Sequence, residues 1–223
     1  PIHLTTSDER RKPIPLDSLR IDIGSDNAKK CSPGDRATFA TKFAVWGPSL
    51  VGKELDDRLG VACLIELLKH CPENIELLAA FTVQEELGLR GAGVAGYSMN
   101  PDLAFVLDST PANDLPVWDE EENGRYNVKV NHGPAIYRLD AATLSDPRLI
   151  NLLVRIADEY KIPFQFRQPG KGGTDAGAIH KKRAGIPSVS ISVPGRYAHT
   201  AVLIARKEDW NNTIALMYAT LCN

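Results

Sequence analysis

Short apolar runs of strand length, alternating with segments patterned as helices, constrain this chain most. Residues 59–68 (LGVACLIELL) are almost wholly apolar and read as a buried helix. Residues 75–83 read as a buried strand, and residues 103–107 as another that ends at Asp108. Residues 126–130 and 135–139 read as a further strand pair. Asp146 then precedes Pro147, which places an N-cap before a proline at the first helical position. Leu149, Leu152, Leu153, Ile156, Ala157 and Tyr160 continue at helical spacing. Residues 174–181 read as a short helix after two glycines, and residues 188–193 alternate as a strand. Residues 208–221 form a last helix with Trp210, Ile214, Met217 and Leu221 as its stripe. This alternation predicts an α/β fold: a mixed sheet flanked by helices, covered on both faces.

Residues 1–50 have a different texture. They are polar, with scattered Gly and Pro; 18–23 and 37–43 are strand candidates and SPGD at 32–35 is a turn. The chain of 223 residues opens on Pro1, and PIHLTTSDERRKP reads as the middle of a longer protein. An N-terminal part upstream is therefore expected.

Composition excludes several classes. The net charge is −2 and no long basic run occurs, which argues against nucleic acid or an anionic membrane as partner. No apolar stretch approaches the roughly 18–20 residues that span a bilayer, and a basic start followed by an apolar middle, as in a signal peptide, is not found in these residues. Cys31, Cys63, Cys71 and Cys222 form no C-x-x-C pair, a pattern that suits a reducing cytoplasm.

The polar outliers fall at chosen places on this scaffold. Glu85-Glu86 follows the run 75–83 and precedes a glycine-rich turn. Adjacent carboxylates repel unless a cation offsets them, and neighbouring residues point in different directions, so the two suit different roles: ligand and base. Asp56-Asp57 precedes the helix at 59–68, Asp108 follows a strand, and His199 follows residues 188–193 by a short loop. Each has an ordinary reading alone: Asp56 as a helix cap, Asp108 as a turn former, His199 as a surface histidine. Together they place carboxylates and an imidazole near the carboxyl ends of strands, where open α/β sheets bind ligands. Such ligands suit Zn, Co or Mn. His3, His70, His132 and His180 have no such placement.

LDDRLGVA at 55–62, FTVQEELGLRGA at 81–92, VLDST at 106–110, GGTDAGAIH at 172–180 and VPGRYAHT at 193–200 occur in this order. Jointly they resemble the M42 family of metallo-aminopeptidases, the group of glutamyl and tetrahedral aminopeptidases and of proteins long labelled endoglucanases. The resemblance implies a two-metal catalytic domain over residues 51–223, with residues 1–50 as the latter part of a β-rich inserted domain used for assembly. It implies Asp56 as the metal-bridging ligand, Glu86 and Asp108 as terminal ligands, His199 as a histidine ligand and Glu85 as general base. A cis peptide bond between Asp56 and Asp57 is implied too. Two divalent ions, Zn or Co, peptide substrates and a homo-oligomer of dimers built into a dodecamer follow from the same likeness. Gly173 and Asp175 are candidates for the substrate pocket, although GGTDAG also reads as a glycine-rich helix start. The family's N-terminal H-x-D segment, with its further histidine ligand, has no match in these residues, so this chain by itself is expected to be an incomplete enzyme. HTAVLIA also departs from the proline and glutamate that relatives usually carry soon after the histidine.

Three other functions compete. A two-metal deacylase of N-acyl amino acids would use the same ligands. A non-catalytic assembly or binding fragment would fit an incomplete site. A glycosidase fits poorly, because its carboxyls flank a sugar at about 5–9.5 Å.

Overall fold

The computed structural model of the chain describes residues 2–27, 30–116, 127–170 and 172–223. The chain divides into two compact units, Pro1–Thr38 and Phe39–Asn223.

In the first unit the described residues form short 3-10 turns at Ile2–Leu4, Glu9–Arg11, Leu16–Ser18 and Ser25–Asn27. Neither 18–23 nor 37–43 forms a strand, against expectation. Leu19 and Ile21 stay exposed, so no packed face rewards an extended backbone there. The turn at 32–35 is present: the Asp35 amide donates to the Ser32 carbonyl at 3.1 Å, and the Ser32 amide donates to Asp35 Oδ2 at 2.8 Å.

The second unit runs β1 (Ala44–Trp46), β2 (Ser49–Gly52), α1 (Leu55–Lys69), α2 (Arg90–Met99), β3 (Ala104–Pro111), β4 (Ala135–Ile136), α3 (Pro147–Tyr160), β5 (Gln165–Phe166), α4 (Ala176–Ile179), β6 (Ser188–Arg196), β7 (Leu203–Arg206) and α5 (Lys207–Cys222). The sheet has the order β1-β2-β7-β6-β4-β5, with β3 parallel to β6 off that path. β2 pairs antiparallel with β7, and β6 pairs antiparallel with β7 and β4, while β4 and β5 are parallel, so the sheet is mixed.

β6 sets the two faces. Val189, Ile191 and Val193 alternate with Ser190 and Ser192, and all are buried. The apolar members join two clusters: Leu153, Ile156, Leu216 and Met217 from α3 and α5 cover Val189 and Ile191, while Leu55 and Leu59 of α1 join Leu203, Ala205 and Val193. Each fully buried aliphatic side chain contributes about 1.5–3 kcal/mol of transfer free energy. The serine side faces the loop before α4, where the Thr174 and Ser190 hydroxyls lie 2.6 Å apart. α3 begins as its sequence requires: the Asp146 carboxylate accepts from the Arg148 amide at 2.8 Å, and Pro147 opens the helix.

Several expectations need correction. Residues 75–83 join no strand, and Phe81 and Val83 are 50% and 67% exposed. Among the described residues no strand pairs with this run, and an extended segment without a ladder partner buries neither face. The expected strand at 126–130 begins at Tyr126, outside the described residues; residues 127–130 form no strand. There the Gln165 carboxamide takes a strand's place, accepting from the Lys129 amide at 2.9 Å and donating to its carbonyl at 2.8 Å. β3 and β6 outrun their expected ends because their parallel pairing continues to Pro111↔Gly195. Asp108 therefore lies inside β3, opposite Ser192, rather than past the strand. No helix of the described residues is long and apolar enough to cross a membrane.

Candidate active site

Asp56 sits where the chain turns from the hairpin β1–β2 into α1. Asp56 and Asp57 have non-helical backbone angles, and the bond between them is cis, as expected. Regular helix begins after them. Asp57, rather than Asp56, acts as its cap: Asp57 Oδ1 accepts from the Gly60 amide at 2.9 Å. This leaves the Asp56 carboxylate free of that duty.

Glu85 and Glu86 lie in the turn that leads into α2. The turn closes on the Glu85 carbonyl, which accepts from the Leu89 amide at 2.8 Å. Gly91 is needed in this bend, since a Cβ there would stand 2.5 Å from the Val83 carbonyl oxygen. Glu86 is exposed and Glu85 half-buried. His199 sits in the turn between β6 and β7, where it and Tyr197 have φ of 60° and 66°. The Arg196 guanidinium at the end of β6 anchors this turn, donating to Asp114 Oδ1 at 2.7 Å and Oδ2 at 3.1 Å.

These elements bring three donors together. His199 Nε2 lies 3.3 Å from Asp56 Oδ2 and 3.4 Å from Glu86 Oε1. One ligand atom from each of the three residues falls within 4.8 Å of the others, and among the described residues this is the one such group of His, Cys, Asp and Glu. Asp108 lies outside that triad but is electrostatically part of the same cluster. Burial pushes its carboxyl well up, and Asp57 and Asp56 push it further. Burial likewise raises the Asp57 carboxyl, opposed by the Gly60 amide and reinforced by Asp56, Glu85 and Asp175. Glu85 is pushed up to about 7, first by burial and then by the charges of Asp175, Glu86 and Asp56, with His199 opposing.

Six carboxylates therefore crowd a space where His199 is the basic group at hand. Two carboxylate oxygens and an imidazole nitrogen at mutual ligand distance fit a divalent cation of the Zn or Co type, and such an ion offsets the repulsion. Asp56, Glu86 and His199 are the residues that would hold it.

The pocket candidates divide. Gly173 is exposed, whereas Asp175 is 7% exposed and accepts a hydrogen bond from the Thr82 hydroxyl through Oδ2. Sequence reasoning missed the parts played by Asp57 and Thr82. The Asp-x-x-Gly spacing at 57–60 was a cap signal for the first; Thr82, inside an apolar run, gave none.

Comparison with known proteins fits this arrangement. A family model describing M42 glutamyl aminopeptidases matches residues 1–216. An Acetivibrio thermocellus protein named as an aminopeptidase is 36% identical over 219 residues, covering 96% of this chain and 65% of its own length. Among solved structures, the TET aminopeptidase of the marine sediment archaeon Thaumarchaeota archaeon SCGC AB-539-E09 superposes with a TM-score of 0.89 at 33% identity, over 100% of this chain and 65% of that one. The TET1 peptidase of Pyrococcus horikoshii, described as assembling into a tetrahedron or a large octahedral shell, gives 0.67 at 31% identity over 81% and 52%. The chain thus spans less than two thirds of the length of these relatives. With a family model over nearly all its residues, the chain belongs to the M42 glutamyl aminopeptidase family.

Proposed function

We propose that this chain carries the catalytic part of a metal-dependent aminopeptidase, which removes N-terminal residues from peptides. The observation that carries the reading is the triad Asp56, Glu86 and His199, with Glu85 beside it but outside it. Family membership supplies the reaction class.

In this reading Asp56, Glu86, Asp108 and His199 are the residues that would hold the two ions. When bound, two Zn or Co ions polarise the scissile carbonyl and acidify the attacking water. Glu85 acts as the base. Its carboxyl is half-buried and stands beside the named ligands without joining them. It takes a proton from the water and delivers it to the departing amine nitrogen. The cluster of carboxylates attracts the substrate's free α-ammonium group, which favours cleavage at the chain's N-terminal end. Gly173, in the loop before α4, and Asp175 border the substrate pocket.

Residues 51–223 are assigned to the catalytic part and residues 1–50 to the latter part of an inserted assembly domain. A homo-oligomer is the expected state, in keeping with the tetrahedral or octahedral shells described for the Pyrococcus horikoshii relative.

The test is a substrate panel on the whole protein loaded with Zn or Co. Peptides with a free N-terminus should be cleaved, their N-acetylated counterparts spared, and activity should vanish with a chelator and return with metal. Hydrolysis of N-acyl amino acids in preference to free peptides would replace this reading with a deacylase.

A further inference from the structure

Asp175 is placed more deeply than a pocket wall requires. It is 7% exposed; Oδ2 accepts the Thr82 hydroxyl, while Oδ1 is buried without a hydrogen-bond partner among the described residues. A buried carboxylate in that state calls for a reason.

Its surroundings form a connected path. Thr174 is fixed to the sheet through the buried hydroxyl pair with Ser190 of β6, 2.6 Å apart. Asp175 follows at the start of α4, where its carbonyl accepts from the Ala178 and Ile179 amides at 3.0 and 3.1 Å. Its carboxylate then reaches Thr82, 93 residues away in the chain. Glu85 lies three residues beyond Thr82.

Besides the contact of Glu86 with His199 at 3.4 Å, the segment around Glu85 has few other restraints. Residues 75–83 join no strand. The backbone bonds of 83–85 run forward into α2: Gly91 to the Val83 carbonyl at 2.9 Å, Arg90 to Gln84 at 3.2 Å and Leu89 to Glu85 at 2.8 Å. These fold the turn upon itself without fixing it to the sheet. Among the described residues, the Thr82–Asp175 bond is the side-chain hydrogen bond from 75–86 to the sheet-anchored loop.

We propose that the Thr82–Asp175 hydrogen bond braces the segment that carries Glu85, so that Thr82 and Asp175 are positioning residues for the proton transfer. This rests on the aminopeptidase reading given above. A base displaced by an ångström loses much of its rate without losing substrate.

The experiment is a mutant cycle in the whole, metal-loaded protein. Thr82→Val and Asp175→Ala should each lower kcat by about 10–100-fold, with KM within about twofold and metal content unchanged. The double variant should be no worse than the poorer single, since both remove one bond. Thr82→Ser restores the hydroxyl, so it should stay within about threefold of the parent. Hydrogen exchange at residues 81–86 should quicken in Thr82→Val, a readout that needs no turnover. The proposal is overturned if Thr82→Val keeps its kcat, if the two losses add, if Thr82→Ser is as impaired as Thr82→Val, or if exchange is unchanged. A parent protein inactive on every peptide would sink the aminopeptidase reading alone, and exchange would then decide the brace.

Discussion

Adjacent residues divide the work of the site because their side chains diverge. Glu86 reaches His199 Nε2 at 3.4 Å, while Glu85 stays half-buried outside the triad. The corner that presents Asp56 depends on a third residue, Gly60. A Cβ there would meet Asp57 Oδ2 at 2.3 Å and the backbone oxygen of Leu107 at 2.7 Å. The carboxylate can swing aside, but the strand carbonyl is fixed by the sheet. Gly60→Ala should therefore cost about 1–3 kcal/mol of stability and lower Tm; an unchanged melting curve would show that the helix can shift without penalty. Of these residues, Asp56, Glu85, Glu86, Asp108 and His199 were legible because each is a polar outlier at the border of an apolar run. Gly60 was not, because a glycine within an apolar helix looks the same whether or not its surroundings crowd it.

At the scale of elements, legibility followed local chemistry. α3 was readable from Asp146-Pro147 and its periodic apolar positions, and its cap supports a direct test. Asp146→Ala should cost about 0.5–2 kcal/mol, measured by denaturant titration; no loss would mean that Pro147 alone sets the helix start. α2 was not readable, since Gly91, Gly93 and Gly96 suggest a turn. Their reason is close approach: Gly93 faces Lys182 just past α4, and Gly96 faces Lys182 and Ile179 of α4. The strand at 75–83 was overread because apolar, β-prone composition cannot say whether a neighbouring strand exists to pair with it. The link from β6 to the His199 turn offers a pH test. Burial tends to raise the Asp114 carboxyl, but Arg196 and the Val130 amide outweigh it and hold the group below its ordinary 3.8. A carboxylate with a lowered folded pKa contributes stability above its unfolded pKa and loses that contribution as pH falls through the folded value. The stability gap between the parent protein and Asp114→Asn should thus be widest near neutral pH and shrink below about pH 4. A gap that is constant down to the acid transition would contradict the ion pair's role.

For the whole molecule, the alternation of strands and helices was enough to specify a mixed α/β sheet, because burial on both faces leaves few other arrangements for such runs. The hairpin β1–β2 and strand β7 escaped notice: they are short, and β7 follows the ligand turn without a break in composition. Their pairing nonetheless carries Asp56 and His199 to one edge of the sheet, since β2 leads into α1 and β7 leads away from the His199 turn. The central claim is that this edge holds a metal centre from which Glu85 stands apart as the base. Its most direct test compares metal content and turnover in two variants of the whole protein. Glu85→Gln should keep the metal content of the parent while losing at least about a hundredfold in kcat, and His199→Ala should lose bound metal together with activity. Near-normal turnover in Glu85→Gln, or full metal occupancy in His199→Ala, would contradict the assignment.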